Sequence, residues 1–216
     1  MKINTINFLG YKSNNPISLH KTRQEKMPLT LEQIKSEDIK NLTRKYIHNY
    51  SLLQKDAKYL QSEFNFLIKL GRKNDFKGTI PYKPKEGLNL TFSDINPENN
   101  LPSGMTIWNM GEPECVYEIS SETNFKMTDF SIPNFRTIYT IQDKKLASCT
   151  ELNKKDGTFI KFTSTKDGFE YEDTDTQYFH NSSEPEKSLY LDFLSNNIQE
   201  YRYDKQKNMW QKTRNY

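Results

Sequence analysis

From Arg136 to Thr163 the chain reads RTIYTIQ (136–142), DK (143–144), KLASCTEL (145–152), NKKDG (153–157) and TFIKFT (158–163). Three runs rich in β-branched and aromatic side chains alternate with two breaks of turn chemistry, the pattern of consecutive hairpins. Parallel pairing of neighbouring strands needs a crossover of a dozen or more residues, and these breaks are far too short to supply one. The stretch therefore specifies an antiparallel meander. Ile160 and Phe162 flank Lys161, the period-two alternation of a strand covered on one face.

The same pattern extends in both directions. Upstream lie Met105–Asn109, Cys115–Ser120 and Phe125–Phe130; downstream lie Phe169–Glu172, Gln177–His180, Ser188–Leu194, Ile198–Tyr203 and Met209–Thr213. Turn signals fall at Asp143-Lys144, Asp156-Gly157, Asp167-Gly168, Asn196-Asn197 and Lys207-Asn208, and the Asp-Gly pairs suit the positive φ of primed hairpin turns. Residues 104–216 are expected to form one antiparallel β-meander domain, a curved sheet or half-barrel. Tyr201-Arg202-Tyr203-Asp204 followed by Asn208 resembles one unit of the tyrosine-aspartate repeats of Rhs-type shell proteins, which form chains of β-hairpins. The resemblance spans about eight residues, occurs once and lacks the family's usual Gly before the Asn, so it implies a hairpin here and no family.

Towards the N-terminus the period changes. Apolar residues recur at Ile39, Leu42, Tyr46, Tyr50, Leu53, Ala57, Leu60, Phe64 and Leu67, steps of three and four with one stutter at Tyr46 to Tyr50. This predicts one long amphipathic helix over 30–71. Thr30 with Gln33, or Ser36 before Glu37 and Asp38, would open it, and Gly71 would stop it. Residues 1–29 lack any period and read as a mobile arm. Residues 72–103 hold Gly78, Pro81, Pro84, Gly87, Pro97 and Pro102 and read as a Pro-rich linker with one short strand at Leu88–Phe92. The fold class is therefore α+β, a long N-terminal helix followed by the meander. The helix is expected on the concave side of the sheet, unless it pairs with another copy of itself.

Composition narrows the function. Leu, Ile, Val and Phe together make up 48 of 216 residues, near the level below which charged chains stay unfolded. No apolar run suffices for a membrane span and no apolar signal core follows Met1, so a soluble, cytoplasmic protein is expected. Cys115 and Cys149 stand 34 positions apart without a CxxC, which excludes zinc ribbons and thioredoxin-type motifs. Asp173, Asp175, Gln177 and Glu184 fall on a calcium-loop template, but Tyr178 occupies the place that requires Gly. Cys149 and His180 could in principle pair as nucleophile and base, but strand filling is the simpler reading of Cys149. No phosphate-loop, dinucleotide or nucleophile-elbow motif is present. Neither a catalytic residue nor a metal or cofactor is therefore assigned.

Charge is the non-random feature. Residues 1–80 carry 15 basic and 7 acidic side chains, 81–197 carry 11 and 19, and 198–216 carry 5 and 2; the segments are thus +8, −8 and +3, together the net +3. At 100° per residue Lys40, Arg44, Lys55, Lys58 and Lys69 share one arc of about 60° on the helix. A merely solvated lysine face is the plain alternative. The stripe is read as a protein-binding surface, meeting an acidic turn such as Glu170, Glu172, Asp173 and Asp175 within the chain or on a neighbour, a partner or a second copy. The competing reading is nucleic acid, with the stripe on phosphates and Tyr201, Tyr203 and Trp210 stacking on bases. A third is an apolar ligand held between helix and sheet. The chain is thus expected to be a non-enzymatic interaction or scaffold module.

Overall fold

The apolar seam forms a single helix, α1, Ser36–Arg72. The computed structural model describes residues 36–181, 183, 189–192, 199–204, 206–207 and 209–215. The expected arm over 1–29 and the first six residues of the expected helix lie outside the described residues. Among the described residues fifteen strands follow α1, so the class is α+β with an antiparallel meander. They fall into two compact units, a central one over Leu53–Ser164 and a terminal one that joins residues up to Leu52 with Thr165–Tyr216.

The central unit contains β1 (Ile80–Lys83), β2 (Leu88–Phe92), β3 (Ile95–Asn96), β4 (Leu101–Pro102), β5 (Gly104–Asn109), β6 (Glu112–Ile119), β7 (Phe125–Asp129), β8 (Phe135–Gln142), β9 (Lys145–Asn153) and β10 (Phe159–Ser164). Its strand order is linear, β1-β2-β5-β6-β7-β8-β9-β10, with β3 and β4 paired separately. Residues 72–103 are therefore not a linker: β1 and β2 pair with each other and β2 pairs with β5 from Leu88↔Asn109 to Phe92↔Met105. Pro81 fits because β1 is hydrogen-bonded on one side only, where a missing N–H breaks no ladder.

Two hairpins turn through pairs of residues with positive φ, Met110 (51°) with Gly111 (88°) and Asp143 (50°) with Lys144 (64°), as primed turns demand. Inward positions alternate along β7 and β8. Phe125 and Met127 on β7 and Tyr139 and Ile141 on β8 are buried, as are Leu53, Ala57, Leu60, Phe64 and Leu67 of α1. The Phe64 ring stacks on Phe125 with centroids 4.1 Å apart.

Gly71 does not stop the helix. It lies inside α1 without a left-handed φ, and a Cβ there would stand 2.5 Å from the rings of Phe76 and Phe92. Close approach, rather than capping, requires the glycine.

The terminal unit contains β11 (Gly168–Asp173), β12 (Thr176–Asn181), β13 (Leu189–Asp192), β14 (Gln199–Asp204) and β15 (Met209–Asn215), again paired in chain order. The single domain expected over 104–216 is thus divided between the two units. Tyr46 stacks on Tyr171 at 4.2 Å and Tyr50 on Phe169 at 4.4 Å. Four helical residues advance about 6.0 Å and two strand residues about 6.7 Å, so an i, i+4 pair on α1 meets an i, i+2 pair on β11 running the opposite way. Asp167-Gly168 makes no primed turn, since neither residue has positive φ; Gly168 opens β11 instead.

Candidate docking surface

Within the central unit α1 separates its charges by sign in an unusual direction. Its two acids turn inward: Glu63 is buried, and Asp56 is half-buried with Oδ2 sealed from solvent and without a hydrogen-bond partner. Lys55, Lys58 and Lys69 are exposed, and none of them joins an ion pair among the described residues. Arg72, at the end of the helix, is held by Glu122. Two aromatic side chains share the exposed face, Tyr59 at 40% and Phe66 at 54% exposure. Lys55, Tyr59, Ser62, Phe66 and Lys69 recur at steps of four, three, four and three, a second seam on the outer side with the period of the inner one.

β1 supplies a wall beside this seam. The Tyr82 ring lies 6.2 Å from that of Phe66, and its hydroxyl donates to Glu63 Oε1. Lys83 Nζ stands 3.9 Å from the same oxygen and 4.6 Å from the centre of the Tyr82 ring. Burial, then the hydrogen bond to Glu63, push the Tyr82 phenol well above the ordinary tyrosine range. Beneath the seam, burial lifts the Asp56 carboxyl from 3.8 to about 6.

Arg44, Lys55, Lys58 and Lys69 are exposed, and the Lys40 side chain lies outside the described residues. Glu170 is exposed, while Glu172 and Asp175 are half-buried. Asp173 is buried and committed to its own hairpin: it accepts from Tyr171 Oη at 2.6 Å, Asp175 N at 2.8 Å and Thr176 N at 2.7 Å. Its Oδ1 is occupied by the turn itself, since Thr176 Oγ1 also lies 3.0 Å from it. Tyr201, expected as an exposed stacking ring, is buried beside Tyr190. A register shift between Glu200 and Tyr201 buries both, and Glu200 is held by Arg202 Nε at 2.8 Å and Thr213 Oγ1 at 2.9 Å. The side chains of Tyr203 and Trp210 lie outside the described residues.

Nucleophile chemistry finds no support at the cysteines. Burial pushes both thiols well up, with Asp129, Glu114 and Glu63 adding at Cys115 and Glu151 and Asp56 at Cys149, whereas a reactive thiol needs the opposite shift. His180, half-buried, is shifted down by desolvation, and its Nδ1 lies 3.1 Å from Tyr178 Oη. Among the described residues no three His, Cys, Asp or Glu side chains converge to hold a metal ion, and no helix is long and apolar enough to cross a membrane.

Sequence reasoning missed Tyr59, Phe66 and Tyr82. The signal for the first two was present, since two aromatics seven residues apart and off the inner seam share one helical face. Comparison with known proteins finds no matching family model, curated protein or solved structure.

Proposed function

We propose that the chain is a non-enzymatic protein-binding module that docks through the outer face of α1 in the central unit. One observation carries the reading: Tyr59 and Phe66 are exposed on a face whose lysines have no counter-charge among the described residues and whose acids are turned inward. Aromatic anchors ringed by charge are where binding energy concentrates at protein interfaces. A face serving solubility alone mixes both signs of charge and leaves few large apolar side chains outside. Nucleic acid is the weaker reading, because one of its three expected stacking rings, Tyr201, is buried.

The test is a photo-crosslinking side chain at position 66 of the full chain, expressed in its own cells, with one at exposed Asp143 for comparison. A discrete protein adduct is expected at 66 but not at 143. Lys58→Glu combined with Lys69→Glu should abolish it. Adducts to nucleic acid only, or a protein adduct indifferent to the charge reversals, would refute the reading.

A further inference from the structure

We infer that the partner of this face is an acidic amphipathic helix, laid along α1 in heptad register and centred on Ser62. The inference rests on the docking surface proposed above and specifies what it takes.

The spacing selects a helix. Tyr59 and Phe66 are seven residues apart, about 10.5 Å along the axis and 20° short of two full turns, the repeat a second helix presents with its own i, i+7 residues. Ser62 sits between them and is exposed, so two large side chains flank a small one. That is a hole of the kind that receives one apolar knob of a facing helix. Tyr82, 6.2 Å from Phe66 on β1, closes one side of it. Successive bases of a single strand stack at a much closer repeat and would leave one of the two rings unused.

Charge selects an acidic partner. Lys55 lies one turn before Tyr59 and Lys69 one turn after Phe66, so cations with no ion-pair partner among the described residues stand at both ends of the hole. In a coiled-coil contact such flanking positions choose the partner by opposite charge. A second copy docking antiparallel about Ser62 would set Lys55 against Lys69 and the reverse, like charge on like charge at both ends. The occupant is therefore a different chain, one that carries Asp or Glu beside its apolar residues.

Selection from a displayed library of random peptides of about four helical turns, with the full chain as bait, tests the partner class directly. Enriched peptides should carry apolar residues at i, i+3 or i+4, and i+7, with Asp or Glu flanking them. A synthetic peptide of the consensus should bind at least about tenfold more weakly to Ser62→Arg, which fills the hole. A similar loss is expected for the triple variant Lys55→Gln, Lys58→Gln, Lys69→Gln. All these positions are exposed, and unchanged circular dichroism would verify that the variants fold. Enrichment of basic or non-periodic peptides, no enrichment, or binding indifferent to Ser62→Arg overturns the inference. So does dimerisation of the chain through this face, or tighter binding of an oligo-dT probe than of any peptide. The crosslink at position 66 separates the two levels. If it yields a protein adduct while the library selects no acidic helix, docking stands and the partner class falls; if both fail, docking falls as well.

Discussion

Replacing Asp56 by Asn should change how stability depends on pH more than stability itself. Asp56 faces inward from α1, its Oδ2 is sealed without a partner, and burial lifts its carboxyl from 3.8 to about 6. In the unfolded chain the group titrates near its ordinary value. Between about pH 4 and 6 the folded state thus holds a proton that the unfolded state has released. Stability from this group is full below pH 4, is lost as pH rises towards 6, and stays lost above. The rise in pKa corresponds to about 3 kcal/mol at 1.36 kcal/mol per pK unit. The side chain is only half-buried, so solvent screening brings the realised penalty to about 1 to 2 kcal/mol. Asn resembles the protonated acid in size and polarity and cannot ionise. Relative to wild type, Asp56→Asn should therefore gain about 1 to 2 kcal/mol between pH 4 and pH 7.5, whatever its cost at pH 4. With a urea slope of about 2 kcal/mol/M, the midpoints of the two proteins should diverge by about 0.5 to 1 M across that range. Other carboxylates titrate in both proteins and cancel in the comparison. Midpoints that run parallel from pH 4 to 7.5 would show that Asp56 is solvated and that the helix does not turn its acids inward.

Phe64→Ala should cost about 3 to 5 kcal/mol in urea unfolding, because the ring is fully buried and stacked on Phe125. Asp173→Ala removes an acceptor used by two backbone N–H groups and the Tyr171 hydroxyl, and should cost about 2 to 4 kcal/mol, with amide exchange accelerated first at Asp175 and Thr176. Gly71→Ala distinguishes the two readings of that residue: helix propensity alone would stabilise by about 1 kcal/mol, whereas the contacts with Phe76 and Phe92 make a lower thermal midpoint the expected result.

The helix and the hairpins were legible because each rests on a period that a sequence displays directly. Tyr46, Leu53, Ala57, Leu60, Phe64 and Leu67 of the inner seam are all buried. The second strand, expected at Leu88–Phe92, has those bounds. Misreadings arose where one residue type serves two physical ends. Proline marks a break in a central strand but is harmless in β1, paired on one side, and so a sheet-forming segment read as a linker. Glycine ends helices and also admits close packing, and Gly71 does the second. A count of carboxylates over Glu170–Asp175 could not reveal that Asp173 spends its oxygens on its own turn. Strict alternation could not foresee the bulge that turns both Glu200 and Tyr201 inward. The proposed docking face was half legible. Its lysines fell on one arc, but the outer seam has the same period as the inner one, and periodicity alone does not say which side meets the sheet.

The inversion of charge on α1 bears most directly on what that face is for. A surface helix built for stability alone keeps its acids outside, where Glu and Lys four residues apart contribute about 0.2 to 0.5 kcal/mol per pair. Here the opposite arrangement leaves Asp56 Oδ2 and Glu63 Oε2 buried without partners, and each such atom costs about 1 to 3 kcal/mol. In a chain so poor in core-forming residues, that loss is a large share of a stability that is ordinarily about 5 to 15 kcal/mol. Turning the acids inward leaves the outer seam with lysines and aromatics and no opposing charge of its own. Such a face repels copies of itself and any cationic surface. On the proposed reading, the groups that would complete it are those the helix has withdrawn, carboxylates presented beside apolar side chains, and a second chain bringing them would gain both the charge pairing and the burial of Tyr59 and Phe66.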